Sequence, residues 1–416
     1  MTPIRQVRGV LAASLLALGA CDLTVTNPGP VQASFLENTA ALTAVVNGAG
    51  RDLAEALNWV SYTSAAVTRE LFPAGSTAAF GISVRQQVGV LAIDDGNDWW
   101  NQGQRARWTA DSAVGRVRAV LGTAAASSAT LAQALVWQGY TNRFMGENFC
   151  DAVINGGPQQ PYTIYLERAE AAFTEAIAVA TAANNATLRE AATAGRASVR
   201  LLRNNLTGAA ADAALITNNA YAYRMPYFTQ TVDQYNRIFW ASANQPYRAH
   251  TVWSTFYDAY RKQTRDPRVP FDSSLTILVG DAAVGNLGRV RWYFQTKHNA
   301  ITSSINLTSG WEMRLIEAEA QLVAGDWQGA MTRLNARRVA LNLAPWTAAN
   351  ATEAWTHLKR ERGIELWLEG RRLGDMRRWA ALSRPGPTDD MTGRSVCFPI
   401  PLSELETNPN LTPPGR

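Results

Sequence analysis

Small residues recur at a fixed offset in two separate stretches of this chain, and this pattern constrains its fold more than any other feature. Ala197 lies in a helical run, and Ala209 follows twelve residues later, beyond an Asn-Asn turn. Ala318 and Ala330 repeat the offset on either side of a Gly-Asp-Trp turn. Small side chains at such positions let two antiparallel helices approach closely across a short connection. The pattern therefore predicts pairs of helices that stack side by side.

Other segments also have helical character. Apolar side chains in residues 163–183 recur at the spacing of one helix face: Leu166, Ala169, Phe173, Ala176 and Val179. A composition rich in Ala, Leu and Glu predicts helix from Ser34 to Leu71, where the stretch Asn47 to Gly50 should break it into two. Together these segments predict a mainly all-α protein with a tetratricopeptide-like helical repeat scaffold, formed by a single domain over residues 34–416.

The segment at about 218–310 differs in composition from the rest of the chain. It is rich in Asn, Tyr, Trp, Pro and Gly, so we expect a large irregular insertion in the helical scaffold. Its aromatic rings could stack on sugar faces, although aromatic side chains are also common in protein cores. The candidate ligand-binding residues are Trp240, Tyr247, Trp253, Trp292 and Tyr293, with Asn236, Arg237, Asn244 and Gln245 as hydrogen-bonding partners.

The N-terminus has the features of an exported protein. Arg5 and Arg8 precede a short apolar run, and small residues then lead to Cys21. This order predicts a signal peptide over residues 1–20, because the run is too short to span a membrane. The Leu-Gly-Ala-Cys ending resembles a bacterial lipobox, which implies a lipid on Cys21 and an extended tether over residues 21–33. An ordinary signal peptide with an accidental cysteine is the alternative.

Composition argues against several classes of function. The net charge of +5 falls to +3 without the signal peptide, and no dense Lys/Arg stripe is present, so nucleic acid is not an expected partner. The three histidines, His250, His298 and His357, lack metal-ligand spacing. The sequence contains no nucleophile elbow and no phosphate-binding loop. We therefore expect no cofactor, no metal site and no catalytic residue.

Two cysteines remain once Cys21 is assigned to the lipid. Cys150 and Cys397 form an even pair in an exported chain, which predicts a disulfide. Two buried free thiols are the alternative, since sequence alone does not establish the geometry that a bridge requires.

Acidic and basic side chains alternate near the C-terminus. Glu361, Glu365 and Glu369 are spaced by four residues, so they should lie on one face of a helix and repel one another. Neighbouring charges suggest that a structural network of carboxylates and guanidinium groups relieves this repulsion. The network should also include Arg362, Arg371, Arg372, Asp375 and Arg378. A pair of carboxylates for acid/base chemistry, as in glycosidases, is the alternative.

An ordered set of motifs in the last hundred residues resembles the SusD/RagB family. It comprises a helix pair over residues 311–338, the stretch from Glu361 to Arg372, the run from Asp375 to Trp379 and the ending from Phe398 to Leu411. The lipobox and the Asn-Pro tether that follows it are similar to the N-terminal end of that family. The middle of the chain diverges from it.

The resemblance implies a non-catalytic, lipid-anchored binding protein on the outer face of the bacterial outer membrane. Proteins of this family deliver glycans, or sometimes peptides, to a SusC-like TonB-dependent barrel transporter. The expected partners are therefore that transporter, a glycan ligand and the membrane that holds the lipid. A peptide-binding protein of the RagB type, a surface glycoside hydrolase and a protein-interaction scaffold remain alternatives.

Overall fold

The computed structural model describes residues 36–75, 82–243, 247–280, 290–387 and 390–412. The predicted signal peptide, Cys21 and the tether lie outside these residues, as do Asn244 and Gln245. The α-helices of the described part are α1 (Leu42–Val67), α2 (Val84–Gln87), α3 (Asp98–Leu121), α4 (Ala129–Asn148), α5 (Thr163–Ala182), α6 (Ala186–Leu202), α7 (Leu206–Ala214), α8 (Phe256–Thr264), α9 (Gly310–Val323), α10 (Trp327–Ala340), α11 (Ala351–Glu365), α12 (Arg372–Ala381) and α13 (Leu402–Thr407).

Strands are short and contribute little to the core. They are β1 (Phe72–Pro73), β2 (Asp151–Ala152), β3 (Gln160–Pro161), β4 (Ala222–Met225), β5 (His250–Thr251), β6 (Phe271–Ser273), β7 (Tyr293–Gln295) and β8 (Ile305–Ser309). They pair antiparallel as β1 with β5, β2 with β3, β4 with β8 and β6 with β7. The mainly helical fold class predicted from the sequence is confirmed.

The small residues with the twelve-residue offset lie at the predicted helix contacts. Ala197 on α6 and Ala209 on α7 are fully buried in one apolar cluster, which they share with Ile316. Ala318 on α9 and Ala330 on α10 are fully buried in a second cluster. The second helix of each pair is capped at its start, by Asn205 and Asp326 respectively, whose side chains accept backbone N–H groups of the first turn.

The close approach of α4, α5 and α6 depends on glycines. Phe173 on α5 lies between Gly139 of α4 and Gly195 of α6, where a Cβ atom would stand only 2.6 Å and 2.4 Å from its ring. The ring also packs edge-on against Tyr140 at a centroid distance of 4.9 Å. A methyl group at either glycine would therefore force these helices apart.

Helix α1 is continuous, so the predicted break at Asn47 to Gly50 is wrong. The helix runs without interruption from Leu42 to Val67. Glycine costs a helix only about 1 kcal/mol relative to alanine, and tertiary packing offsets that cost here. Gly50 faces the indole of Trp137, and Ala49 is fully buried.

The ends of the segment 218–310 meet at one place on the helical scaffold. β4, near its start, pairs with β8, near its end, in a register that joins Ala222 to Ser309. Between them the chain forms the helix α8, a π-helical turn over Phe239–Ala243 and the ribbon of β6 and β7. The part of the segment 218–310 that the structure describes thus consists of short elements, which contacts with the helical scaffold hold in place.

The structure contains the disulfide between Cys150 and Cys397. The two Cα atoms are 5.0 Å apart, and 247 residues separate the cysteines in sequence. Backbone hydrogen bonds flank the bridge, with Cys150 donating to the Phe398 carbonyl and Phe398 donating to the Asn148 carbonyl, both at 2.9 Å. The bridge therefore ties the end of α4 to the C-terminal segment.

Most of the predicted charge network is buried and paired. Glu361 accepts from Arg268 at 2.6 Å and from Arg338 at 2.8 Å. Glu365 accepts from Arg268 and from Arg337, both at 3.0 Å. The network thus extends to three arginines that lie outside the charged motif.

The arginines of the motif contact carboxylates on other helices. Arg371 pairs with Glu147 at 2.7 Å and with Glu312 at 2.9 Å, which joins the motif to α4 and α9. Arg362 and Arg378 both pair with Asp375 at 2.8 Å, and Arg378 also pairs with Glu319. Arg372 lies 6.0 Å from the ring centroid of Tyr257.

Glu369 departs from the prediction that three glutamates stack on one helix face. Helix α11 ends at Glu365, and positive φ angles at Leu368 and Gly370 turn the chain away. Glu369 instead accepts from Lys297 and Asn306, both at 2.8 Å, and burial raises the pKa of its carboxyl. The repulsion expected from regular spacing is avoided because the helix stops first.

Candidate ligand-binding site

Residues between 225 and 243 pack along one face of α1. The hydroxyl of Tyr227 donates to the Ala54 carbonyl oxygen at 3.0 Å, and the backbone N–H of Arg237 donates to Asn58 Oδ1 at 2.7 Å. Ala54 and Asn58 are four residues apart and so lie on the same side of the helix. One helix face thus positions the residues of the insertion that follow.

A cavity of about 430 Å³ lies where this segment crosses the N-terminal half of α1. We call it the α1 cavity. Its wall combines the indole of Trp137 and the half-exposed ring of Phe228 with several polar side chains. The lining consists of Asn47, Gly50, Arg51, Ala54 and Glu55 of α1, Trp137 of α4, and residues 225–228 and 233–234.

The glycine in α1 allows Trp137 to lie against the helix. A Cβ atom at Gly50 would stand 2.9 Å from Cε2 of the indole. The other neighbour of the indole is Tyr223, with a ring-centroid distance of 5.7 Å. Gly50 therefore shapes the wall of the cavity. From the sequence alone, the same glycine predicted a break in the helix.

Glu55 is the buried charged group of the cavity. It is 6% exposed and forms ion pairs with Arg51, at 3.0 Å, and with Arg105. Burial raises the pKa of the Glu55 carboxyl; the two guanidinium groups oppose this effect and nearby Asp233 reinforces it. The paired arginines therefore hold a carboxylate in an apolar wall.

Three polar side chains of the cavity are available to a ligand. Asn47, Asp233 and Gln234 form no side-chain hydrogen bond or ion pair with any residue that the structure describes. An amide can donate and accept, and a carboxylate can accept two hydroxyl groups. A ring that rests on Trp137 or Phe228 could thus be recognised by its polar substituents.

Beyond the cavity, half-buried aromatic rings form a second surface. Trp240, on the π-helical turn, lies between Tyr235 and Tyr247, with ring-centroid distances of 5.2 Å and 5.5 Å. We call Tyr235, Trp240 and Tyr247 the aromatic trio. The structure thus brings two of the predicted ligand residues together, and it adds Tyr235, which the sequence analysis did not select.

Arg237 lies between the cavity and the aromatic trio. Its guanidinium carbon stands 3.5 Å from the ring centroid of Trp59, and the residue is 6% exposed. Burial lowers the pKa of the guanidinium to about 10. This predicted hydrogen-bonding residue therefore stacks on α1, where it connects the two surfaces.

Two other predicted ligand residues lie in the interior. Trp292 is 3% exposed, and its indole N–H donates to the Ser242 carbonyl oxygen at 3.1 Å. Asn236 is fully buried and its amide donates to the Ser303 carbonyl oxygen at 2.7 Å. Both side chains satisfy internal contacts, and we do not propose them as ligand contacts.

Trp253 and Tyr293 are half-buried but lie apart from the aromatic trio. The ring of Trp253 packs edge-on against Phe72 at 5.9 Å, near the ribbon of β1 and β5. Tyr293 stacks on Phe271 at 5.7 Å, with the amine of Lys262 4.6 Å from its ring centroid. The seven candidate residues that the structure describes therefore occupy several places, and among their aromatic rings Trp240 and Tyr247 pack together.

Most of the cavity could not be predicted from the sequence because its residues come from three distant segments. Trp137 lies outside the segment 218–310 that supplied the candidate ligand residues, and Phe228 and Asp233 follow β4 within that segment. A signal was nevertheless present at Phe228, whose composition context of Pro, Thr and Gln is typical of exposed loops.

Metal and membrane contacts can be judged only for the described residues. Among them, no three His, Cys, Asp or Glu side chains come together as a metal site. No single helix there is long and apolar enough to cross a membrane; the helix pair 98–127 and 129–148 meets that test only jointly and is bent by 110°.

Comparison with known proteins identifies the fold. Residues 280–393 match the model of the SusD family, whereas no curated protein sequence matches the chain. A SusD superfamily protein from Bacteroides thetaiotaomicron is similar in structure, with a TM-score of 0.65 and 14% identity over 91% of this chain and 100% of that one.

Two solved structures with functional descriptions are similar as well. A laminarin-binding SusD-like protein has a TM-score of 0.63 and 16% identity, covering 91% of this chain and 100% of its own. A SusD-like carbohydrate-binding protein from Bacteroides vulgatus has a TM-score of 0.61 and 17% identity, covering 82% and 83%. The family match at residues 280–393 and this shared architecture together show that the chain has a SusD-like fold.

Proposed function

We propose that this protein captures a glycan at the α1 cavity and along the aromatic trio, and releases it chemically unchanged. The observation that carries the proposal is the cavity itself. It combines aromatic rings with Asn47, Asp233 and Gln234, whose polar groups have no other partner among the described residues. Ligand sites are commonly concave, with apolar walls and a few polar groups that fix orientation.

Sugars match this combination of groups. The C–H face of a pyranose ring can pack on the face of Trp137 or Trp240, while its hydroxyl groups reach amides and carboxylates. Because Arg237 and Asn58 place the aromatic trio beyond the cavity on the same helix, a ligand of several sugar units could contact both surfaces. The descriptions of the two SusD-like relatives as laminarin-binding and carbohydrate-binding support this ligand class.

The proposal includes the location and the partner expected from the family. We propose that a lipid on Cys21 holds the protein on the outer face of the outer membrane. There it would pass its ligand to a SusC-like TonB-dependent transporter. A single acyl chain binds membranes only marginally, so stable attachment requires more than one.

A Cys21→Ser variant tests the anchor. We expect the variant to be released from the membrane fraction, or to retain its signal peptide, while wild type remains membrane-bound. Fractionation of cells and mass determination of the N-terminus measure both outcomes. A processed Cys21→Ser protein that partitions like wild type would contradict the proposal.

Binding to a panel of oligosaccharides and peptides tests the site. Trp137→Ala and Trp240→Ala should each weaken binding of the true ligand by roughly 1–3 kcal/mol, by analogy with other stacked rings. Trp108→Ala is the matched control, because this ring is 59% exposed on α3 and does not line the cavity. Isothermal titration gives the affinities, and melting curves show whether each variant is folded.

The outcomes separate the alternatives. Normal affinity of both folded variants would refute the proposed site, and binding of peptides without glycans would refute the ligand class. Chromatography of the glycan after prolonged incubation with the protein tests for turnover. Shortened products that depend on Glu55 would replace the binding proposal by a hydrolase.

A further inference from the structure

A half-buried cation that pairs with no carboxylate among the described residues lies at the C-terminal end of α1. Arg69 follows the helix with a left-handed backbone φ of 59°. Its guanidinium carbon stands 4.8 Å from the ring centroid of Phe72, and Phe72 packs on Trp253. Within the described residues, the side chain of Arg69 forms no hydrogen bond and no ion pair, although its Nη1 atom is buried.

The acid next to Arg69 does not neutralise it. Glu70 is 1% exposed and points inward, where it accepts from the Leu368 backbone N–H at 2.8 Å and from the Thr68 hydroxyl at 3.1 Å. A buried charge without an oppositely charged partner has a higher free energy than the same charge in water. An anion bound to Arg69 would lower that free energy.

A second cation and a neutral histidine lie near Arg69. Arg394, which donates to the Val67 carbonyl oxygen at 2.6 Å, is close enough that its charge and burial together lower the pKa of Arg69 to about 10. His250 is fully buried and its pKa is lowered to about 3, by burial and by Arg69, so its ring is neutral. Its Nε2 atom has no hydrogen-bond partner within the described structure. Arg69 therefore lies beside a second cation and a neutral imidazole, and no described carboxylate is paired with it.

Arg69 lies on the same helix as the proposed glycan site, at its C-terminal end. With a rise of 1.5 Å per residue, Arg69 lies roughly 20 Å beyond Glu55 along the axis of α1. Tyr227 and Arg237 contact this same helix, and His250 and Trp253 lie near Arg69 at its end. A saccharide that contacts both the cavity and Arg69 must therefore contain several units.

We infer that Arg69 binds the carboxylate of an acidic sugar unit, beside the rings of Phe72 and Trp253. This inference rests on the proposed glycan-binding function and specifies its ligand class as a saccharide that contains hexuronic acid. The planar guanidinium can donate two parallel hydrogen bonds to a carboxylate, and such pairs are stronger than hydrogen bonds between neutral groups. The adjacent aromatic edge provides an apolar contact for the sugar ring.

The test compares an acidic oligosaccharide with its uncharged methyl ester and with a neutral glucose oligosaccharide. Hexagalacturonate, its fully methyl-esterified form and laminarihexaose are titrated into the wild-type chain by calorimetry. We expect the wild type to prefer hexagalacturonate over the ester by roughly tenfold or more, as one charge-assisted bidentate pair allows. Added salt should reduce this preference.

Variants assign the preference to Arg69. Arg69→Gln should abolish it, whereas Arg189→Gln, a change of an exposed arginine on α6, should leave it intact. Arg69→Lys keeps the charge but not the planar fork, so it should keep only part of the preference. This variant also provides the readout if melting curves show that Arg69→Gln is unfolded.

Each result decides the inference. Equal affinity of the wild type for the acid and its ester would overturn it, as would an unchanged preference in folded Arg69→Gln or a full preference in Arg69→Lys. Binding of laminarihexaose alone would overturn the acidic ligand class and leave the proposed function standing. Binding of no saccharide would overturn both.

Discussion

Asp375 is held between two guanidinium groups in the interior. Arg362 and Arg378 each lie 2.8 Å from it, and these interactions lower the pKa of its carboxyl to about 2 despite burial. Removing one member of a buried charge pair costs about 3–5 kcal/mol, because the remaining charge loses its partner. We expect Asp375→Asn to lose this much stability in urea unfolding. Asp94→Asn, at an exposed pair with Arg85, should lose less than about 1 kcal/mol.

The effect of Asp375 should depend on pH with a defined sign. Its pKa is about 3.9 in an unfolded chain and about 2 in the fold, so its stabilisation is complete above pH 4 and is lost as the pH falls toward 2. The stability difference between wild type and Asp375→Asn should therefore shrink over that interval. A constant difference from pH 6 to pH 2 would show that Asp375 does not titrate as the geometry requires.

Two histidines should destabilise the fold at a milder acidity. His250 and His298 are buried, and burial lowers the pKa of each to about 3. Below pH 6.5 the unfolded chain binds protons at these sites and the folded chain does not, so stability falls by up to about 1.4 kcal/mol per histidine and pH unit. His250→Gln should reduce the slope of unfolding free energy between pH 6 and pH 4. Identical slopes for variant and wild type would contradict this account.

At the level of single residues, the sequence predicts correctly those properties that depend on the residue type itself. The pairing of Cys150 with Cys397 followed from an even cysteine count in an exported chain. Trp292 was selected because it lies in the irregular segment 218–310, yet its indole is buried against Ser242. Trp137 lies outside that segment and was not selected. A sequence window reports the neighbours of a ring in the chain, whereas its exposure depends on segments that are far away in sequence.

Among the helices, glycine determines how closely neighbours pack. A Cβ atom at Gly195 would stand 2.4 Å from Phe173, whereas at Gly115 on α3 it would meet nothing within 4 Å. We expect Gly195→Ala to destabilise the protein by about 1–3 kcal/mol through overpacking. Gly115→Ala should instead be neutral or stabilise it by up to about 1 kcal/mol, because alanine favours helix. Denaturant midpoints measure both, and equal effects would show that the glycine contact does not control packing.

Element types could be predicted better than element ends. The helix pairs with alanines twelve residues apart were correct because burial imposes that spacing on both partners. The break in α1 was predicted wrongly because a local propensity of about 1 kcal/mol is smaller than the packing of Gly50 and Ala49 in the core. For Glu369 the opposite error arose. The spacing by four residues predicted a helix that continues through Glu369, whereas α11 ends at Glu365.

At the scale of the whole molecule, differences in composition separate a helical scaffold from an irregular segment. Helices rich in Ala and Leu bury their own apolar faces. Residues of the segment 218–310 are fixed to α1 by contacts such as that of Tyr227 with Ala54 and that of Arg237 with Asn58. Sequence could predict that this segment consists of short, irregular elements. It could not predict the α1 cavity, because that space exists only once α1, α4 and the chain after β4 are brought together.

The account depends most directly on where a saccharide binds. A crystal structure of the mature chain with the tightest-binding oligosaccharide from the titration panel would locate it. We predict sugar rings in the α1 cavity, with one ring packed on Trp137 and the chain continuing toward Trp240. A saccharide bound at any other surface, with the α1 cavity occupied only by solvent, would contradict the account.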